Sequence, residues 1–166
     1  MLSVFDKSYF VSPEKKLFFV ESQVGVYCGM HAINNLLQLQ KDRLTQKEWD
    51  TSSVAFTEES KKVDKDYNAM TVRGATPEFV LHMVESFKKY DTRSVKVTYK
   101  PHDGDMGVIV QAYDHFFCVK WYNDKWYMLD SMTYKGTKGY YVGVKDVRIF
   151  LNNDRVNWAY MVCTKS

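Results

Sequence analysis

Asp114-His115-Phe116-Phe117-Cys118-Val119-Lys120-Trp121-Tyr122-Asn123-Asp124-Lys125-Trp126-Tyr127-Met128-Leu129-Asp130-Ser131 reads as two strands and the turn between them. Both arms are rich in aromatic and apolar residues, and Asn123-Asp124 has turn chemistry. A two-residue turn pairs Tyr122 with Lys125 and Trp121 with Trp126. Carried back along the strands, that register sets Phe117 opposite Asp130 and His115 opposite Met132. His115 and Asp130 are then diagonal neighbours on one face. Their backbones lie about 7–8 Å apart, within reach of an imidazole–carboxylate hydrogen bond. A four-residue loop keeps this register, whereas a three-residue loop sends the two side chains to different faces. Phe117, Val119, Trp121, Trp126 and Met128 share the face of His115. Phe116, Cys118, Tyr127 and Leu129 share the other. Both faces are apolar, so these are interior strands with a polar pair at one end.

Outward from the hairpin, the C-terminal half continues in the same style. Residues 107–113 form a further strand candidate, Val142 to Leu151 can form a short helix, and Asn157 to Thr164 a last strand. Val95, Val97 and Tyr99 alternate with polar residues as a strand does. The N-terminal half is helical. Ala32, Ile33, Leu36, Leu37 and Leu39 have helical spacing and predict a first helix from Cys28 to Gln40. Thr45-Gln46-Lys47-Glu48 is a capping box for a short helix around Trp49. The charged stretch Thr57 to Met70 has so thin an apolar stripe that it predicts a helix projecting from the body. Thr76-Pro77-Glu78 starts a helix carrying Phe79, Val80, Met83, Val84 and Phe87. Helices followed by antiparallel strands predict an α+β domain over residues 17–166, the first helix packed on the sheet. Residues 1–16 read as a leader, with a turn at Ser12-Pro13-Glu14.

The first helix brings chemistry with it. In Gln23-Val24-Gly25-Val26-Tyr27-Cys28-Gly29-Met30-His31, Gly25 breaks structure upstream and Cys28 falls in the first turn. Unpaired N–H groups and the positive end of the helix dipole favour an anion there, and a thiolate is such an anion. Cys28 therefore reads as a nucleophile in search of a base. His31 lies too close on the same helical arc for an aligned proton transfer. His82 belongs to the Phe79 helix. His102, in Pro101-His102-Asp103-Gly104-Asp105, has no second cluster that would make a metal site. His115 has an orienting carboxylate, Asp130, and is selected as the base.

Composition narrows the class. The net charge is +3 with the basic residues dispersed, which disfavours nucleic acid. No apolar run approaches the roughly 18 residues of a membrane span, and Asp6 and Lys7 interrupt any signal core. Cys28, Cys118 and Cys163 are odd in number and widely spaced, so free thiols in a cytoplasmic or nuclear, reducing compartment are expected. No cofactor or metal is called for, and a monomer is expected. Cys118 and Cys163 read as small buried hydrophobes within strands.

Gln23, Cys28, Asn34-Asn35-Leu36-Leu37-Gln38, His115 and Leu129-Asp130-Ser131 resemble the Josephin domain. That family comprises papain-like cysteine proteases acting as deubiquitinases. Its pattern is Gln, five residues to Cys, a distant His, then Asn or Asp fifteen residues on, the spacing of His115 and Asp130 here. Phe116 stands where the family often has Trp. The family's helical arm, which gates the ubiquitin tail, corresponds by position to residues 42–75. The resemblance implies a ubiquitin-specific thiol protease whose partners are ubiquitin or polyubiquitin conjugates. Cys28 would be its nucleophile, His115 its base and Asp130 the orienting acid. Gln23 would be the oxyanion donor, together with the Cys28 backbone N–H. The substrate groove is expected beside Trp126 and the residues before Cys28. Two alternatives stay open. One is a papain-like protease acting on another ubiquitin-like modifier or a polyprotein junction. The other is a non-catalytic ubiquitin-binding module on the same scaffold.

Overall fold

The computed structural model describes residues 5, 7–12, 17–95, 100–132 and 139–165. The strands in chain order are β1 (Phe10–Val11), β2 (Met70–Thr71), β3 (Gly74–Ala75), β4 (Asp91–Ser94), β5 (Asp105–Ala112), β6 (His115–Tyr122), β7 (Lys125–Asp130), β8 (Tyr140–Val144) and β9 (Val156–Cys163). The helices are α1 (Cys28–Leu37), α2 (Gln46–Ser60), α3 (Pro77–His82) and α4 (Val147–Leu151). This is a mixed α+β arrangement with an antiparallel sheet. β1-β8-β7-β6-β5-β9-β4 form one seven-stranded sheet, and β2-β3 a separate ribbon.

The β6–β7 hairpin has the register its turn implies: Tyr122↔Lys125, Trp121↔Trp126, and on to Cys118↔Leu129. Asn123 and Asp124 turn it at φ 48° and 61°, left-handed angles that Asn and Asp tolerate and a tight hairpin needs. Tyr113 and Asp114 turn β5 into β6 in the same way, at φ 51° and 60°.

The two apolar faces of the hairpin explain the layers. Phe116, Cys118 and Leu129 pack in one core with Ile33 and Leu36 of α1, Trp49 of α2 and Phe79 and Val80 of α3. Phe117, Val119, Trp126 and Met128 pack in the other with Val147, Phe150 and Leu151 of α4 and with Phe5. The sheet is therefore covered on both sides. α1 lies across β5, β6 and β7. Lys120 crosses to it and donates from Nζ to the Leu36 carbonyl at 2.7 Å, satisfying one of the helix's terminal acceptors.

Several expectations are corrected. α1 stops at Leu37 rather than Gln40, because Gln38 turns left-handed at φ 54° and its side chain is committed to both backbone groups of Phe19. The Thr45 capping box is present, but it opens one fifteen-residue helix, not a short one. That helix absorbs the start of the charged stretch and ends at Ser60. No separate helix spans Thr57 to Met70. It does not project freely either: Trp49, Ser53 and Thr57 are buried, and Thr57 Oγ1 accepts from the Ala69 N–H at 2.9 Å. Thr76 caps α3, which widens into a π-helical turn over Met83–Phe87. Val142 to Leu151 is not one helix. Tyr140–Val144 is a strand between β7 and β1, and the helix begins only after Asp146, whose carboxylate caps it. The strand near Val95 ends at Ser94, and Val97 and Tyr99 lie outside the described residues. Part of the leader packs: Phe10 and Val11 pair with Val144 and Gly143, and Phe5 is buried. Pro13 and Glu14 of its expected turn lie outside the described residues. No described helix is long and apolar enough to cross a membrane.

Candidate active site

Cys28 is the first residue of α1 and is 4% exposed. Tyr27 supplies no side-chain cap to the helix, and no acidic residue stands in its first turn. The thiol is thus set among first-turn N–H groups that no side chain neutralises. Tyr27 itself is tethered outward, its hydroxyl donating to the Asp50 carboxylate at 2.8 Å. Gly29 lets the helix sit close to its neighbours: a Cβ there would stand 3.0 Å from Val80 Cγ2 and 3.3 Å from the Trp49 ring.

β6 and β7 bring the other groups. His115 opens β6 and Asp130 ends β7, at the end of the sheet overhung by the start of α1. His115 Nε2 lies 2.7 Å from Asp130 Oδ1, the diagonal contact the register implies. Asp130 is fully buried, and its Oδ1 also accepts from the Met132 N–H at 2.9 Å. The His115 ring stacks on Phe117, centroids 6.2 Å apart. The next residue, Phe116, donates its backbone N–H to Cys28 Sγ at 3.5 Å. Burial by itself would lower the basicity of His115. The hydrogen bonds to Asp130 and Cys28 and their negative charge outweigh it, raising the pKa to about 9. Nε2 is occupied by Asp130, which leaves Nδ1 as the ring nitrogen available to Cys28. Cys28, His115 and Asp130 are therefore brought together, as an anion site, an imidazole and a buried carboxylate in a chain. Such a chain can move a proton between sulfur and a leaving group while the carboxylate holds the ring.

Gln23 reaches this group by way of Ser131. Its backbone N–H donates to the Ser131 carbonyl at 2.7 Å, and Ser131 Oγ donates to Gln23 Oε1 at 3.2 Å. Gln23 Nε2 donates to the Gly25 carbonyl at 3.2 Å. A carbonyl only accepts, which settles which end of the amide faces it. An NH2 group carries two N–H bonds, so one remains for a ligand beside Gly25.

The other histidines are placed elsewhere. His31 is buried, with both ring nitrogens held by Glu21 and Val24, so it is not a base for Cys28. His82 packs on Phe56 at 4.6 Å, and burial lowers its pKa. The His102 loop closes on Asp105, which accepts the His102 N–H at 2.9 Å and pairs with Arg93 at 2.6 Å. Among the described residues no group of three His, Cys, Asp or Glu could hold a metal ion. Cys118 is buried in the sheet, where desolvation pushes its thiol up to about 12. Cys163 is half-buried at the sheet margin.

Trp126, expected beside the substrate groove, is not exposed to line one. Trp126 is buried on the α4 face, paired with Trp121 at 5.1 Å. Among the described residues, the Gln23 loop leads into Cys28, the β5–β6 turn leads into His115, and the β2–β3 ribbon touches both the loop and the turn. Gly74 of the ribbon lies so close to Val26 that an added Cβ would stand 3.3 Å from its carbonyl oxygen. Arg73 bridges to Asp114 at 3.4 Å. Val24, Val26, Val72 and Tyr113 are exposed along this border. A separate cavity of about 630 Å³ lies on another side of the Gln23 loop, lined by Glu21, Val24, His31, Arg43 and Leu44.

Three participants escaped sequence reasoning. Ser131 could have been found, since it follows Asp130 directly. The Phe116 N–H and the Arg73–Asp114 bridge could not, because they join residues far apart in the chain. No family model and no curated protein matches this chain.

Proposed function

We propose that this protein is a cysteine-protease deubiquitinase of the Josephin type, hydrolysing the peptide or isopeptide bond at the C-terminus of ubiquitin. The observation that carries the reading is Cys28 at a helix N-terminus, held by the Phe116 N–H next to a His115–Asp130 pair 2.7 Å apart. His115 takes the proton of the Cys28 thiol, the sulfur attacks the terminal carbonyl carbon of ubiquitin, and the C=O electron pair moves onto the carbonyl oxygen. Gln23 Nε2 and the Cys28 backbone N–H receive that oxyanion, each such donor being worth roughly 10²–10³ in rate. The imidazolium of His115 then protonates the departing amine, leaving a thioester. Water, deprotonated by His115, attacks the thioester, and ubiquitin leaves with a free carboxylate. Asp130 holds the ring and balances its charge throughout.

The ubiquitin specificity rests on the resemblance of the motifs, and the exposed apolar border of Val24, Val26, Val72 and Tyr113 suits an extended protein tail. The test is labelling by ubiquitin bearing a C-terminal electrophile, in parallel with the same warhead on other modifiers. Ubiquitin should label Cys28 in the parent, more slowly in His115→Ala and not at all in Cys28→Ala. Preference for another modifier would replace the substrate. Absence of labelling by any of them would reduce the chain to a binding module.

A further inference from the structure

His31 sits one turn along α1 from Cys28 and is 4% exposed. A buried imidazole needs a reason, and its two contacts supply one. Nδ1 lies 2.8 Å from Glu21 Oε1, and the Val24 backbone N–H points at Nε2 from 3.1 Å. A backbone N–H can only donate, so Nε2 is the bare acceptor and Nδ1 carries the proton given to Glu21. Glu21 is buried as well. Its Oε1 also accepts from Asn34 Nδ2 at 3.0 Å, its Oε2 stands 3.9 Å from Arg43, and its own N–H donates to Asn35 Oδ1 at 2.8 Å. Three side chains of α1 thus grip the segment Glu21–Val24. Gln23 lies between the gripped residues, and from the other side Ser131 holds its backbone and its amide oxygen.

We propose that His31, kept in the Nδ1–H tautomer by Glu21, is a positioning residue. By accepting the Val24 N–H, it sets where Gln23 Nε2 stands relative to Cys28 Sγ. The inference deepens the acyl-transfer reading above and rests on it. Its logic is that α1 carries both the nucleophile and the anchor of the oxyanion donor. Sulfur and amide then keep one spacing because a single rigid element references both.

The test exploits a difference between two reactions of the same thiol. Amide hydrolysis passes through an oxyanion. Alkylation by iodoacetamide forms a bond from sulfur to a saturated carbon and expels iodide, with no oxyanion. His31→Ala should lower kcat on a fluorogenic ubiquitin amide by about 10²-fold with KM little changed, the usual scale for a misplaced catalytic group. The iodoacetamide rate of Cys28 should not change. His31→Gln keeps a donor for Glu21 and an acceptor for Val24, and should recover most of kcat. A parallel fall in alkylation and kcat would overturn the proposal, as would equal losses in the Ala and Gln variants. Nitrogen NMR of the parent protein decides the matter if His31→Ala does not fold: an Nε2–H tautomer of His31, or fast exchange of the Val24 amide, excludes the pinning. The same spectra separate the two readings. A parent that cleaves no ubiquitin amide refutes the proposed function, while the His31 tautomer and Val24 exchange still answer for the anchor.

Discussion

Asp130→Asn is the most informative single change in this protein. It keeps an oxygen where Asp130 Oδ1 accepts from His115 at 2.7 Å and from the Met132 N–H at 2.9 Å, and it removes the charge. In the parent, His115 is raised from 6.5 to about 9 despite burial. At about 1.4 kcal/mol per pKa unit, that holds the imidazolium by about 3 kcal/mol. A hydrogen bond to an ion is roughly twice as strong as a neutral one, so the substitution should remove about half. The His115 midpoint, followed by NMR, should fall by about one unit or more in Asp130→Asn. The alkaline limb of kcat/KM should move down with it. Stability has a defined sign. A histidine whose folded pKa is raised favours the folded chain most below its unfolded value of 6.5, and loses that contribution as pH climbs through about 9. Denaturant midpoints of parent and variant should therefore differ most near pH 6.5 and draw together above pH 9. An unchanged His115 midpoint, or a stability gap that widens with pH, would refute the reasoning.

Two further outcomes bear on the donor and the scaffold. Gln23→Ala should lower kcat on a ubiquitin amide by roughly 10²–10³ while KM and the iodoacetamide rate of Cys28 hold steady. A drop confined to KM would make Gln23 a binding residue. Gly107→Ala should cost about 1–3 kcal/mol in urea denaturation, the usual range for overpacking. Its new Cβ would lie 2.5 Å from the Val119 carbonyl oxygen and 2.6 Å from Leu36 Cδ1. Leu36 belongs to α1, so the alkylation rate of Cys28 should shift as well. A variant as stable as the parent would show that the sheet relaxes there freely.

Local rules carried most where the structure is itself local. The Asn123-Asp124 turn set the β6–β7 register, and the register set His115 diagonal to Asp130, because a strand repeats every two residues and a tight turn leaves no slack. Thr45 and Thr76 marked true helix starts, since a cap is a contact over three residues. The misreadings came where two patterns overlap. Tyr140-Tyr141-Val142-Gly143-Val144 has the β-branched and aromatic character of a strand, but its end, Val142-Gly143-Val144, runs into the Asp146 cap and by spacing alone joins the helix expected over Val142 to Leu151. α2 outlasted its weak apolar stripe because Trp49 anchors it against Phe79, a tertiary contact with centroids 4.9 Å apart.

By itself, then, the sequence determined that this protein would hold a cysteine at a helix mouth and a histidine–carboxylate pair at the end of a hairpin. Each depends on chain periodicity and on groups a few residues apart. Tertiary structure alone decided where on the sheet α1 sits, so that Cys28 meets the Phe116 N–H, 88 residues away. It also decided that the face carrying Trp126 is covered by α4, which buries that ring, and that His31 holds the Val24 N–H beside Gln23. These turn on which face of each element is buried against which neighbour. That choice is made by the packing of the whole core, and no window of local sequence contains it.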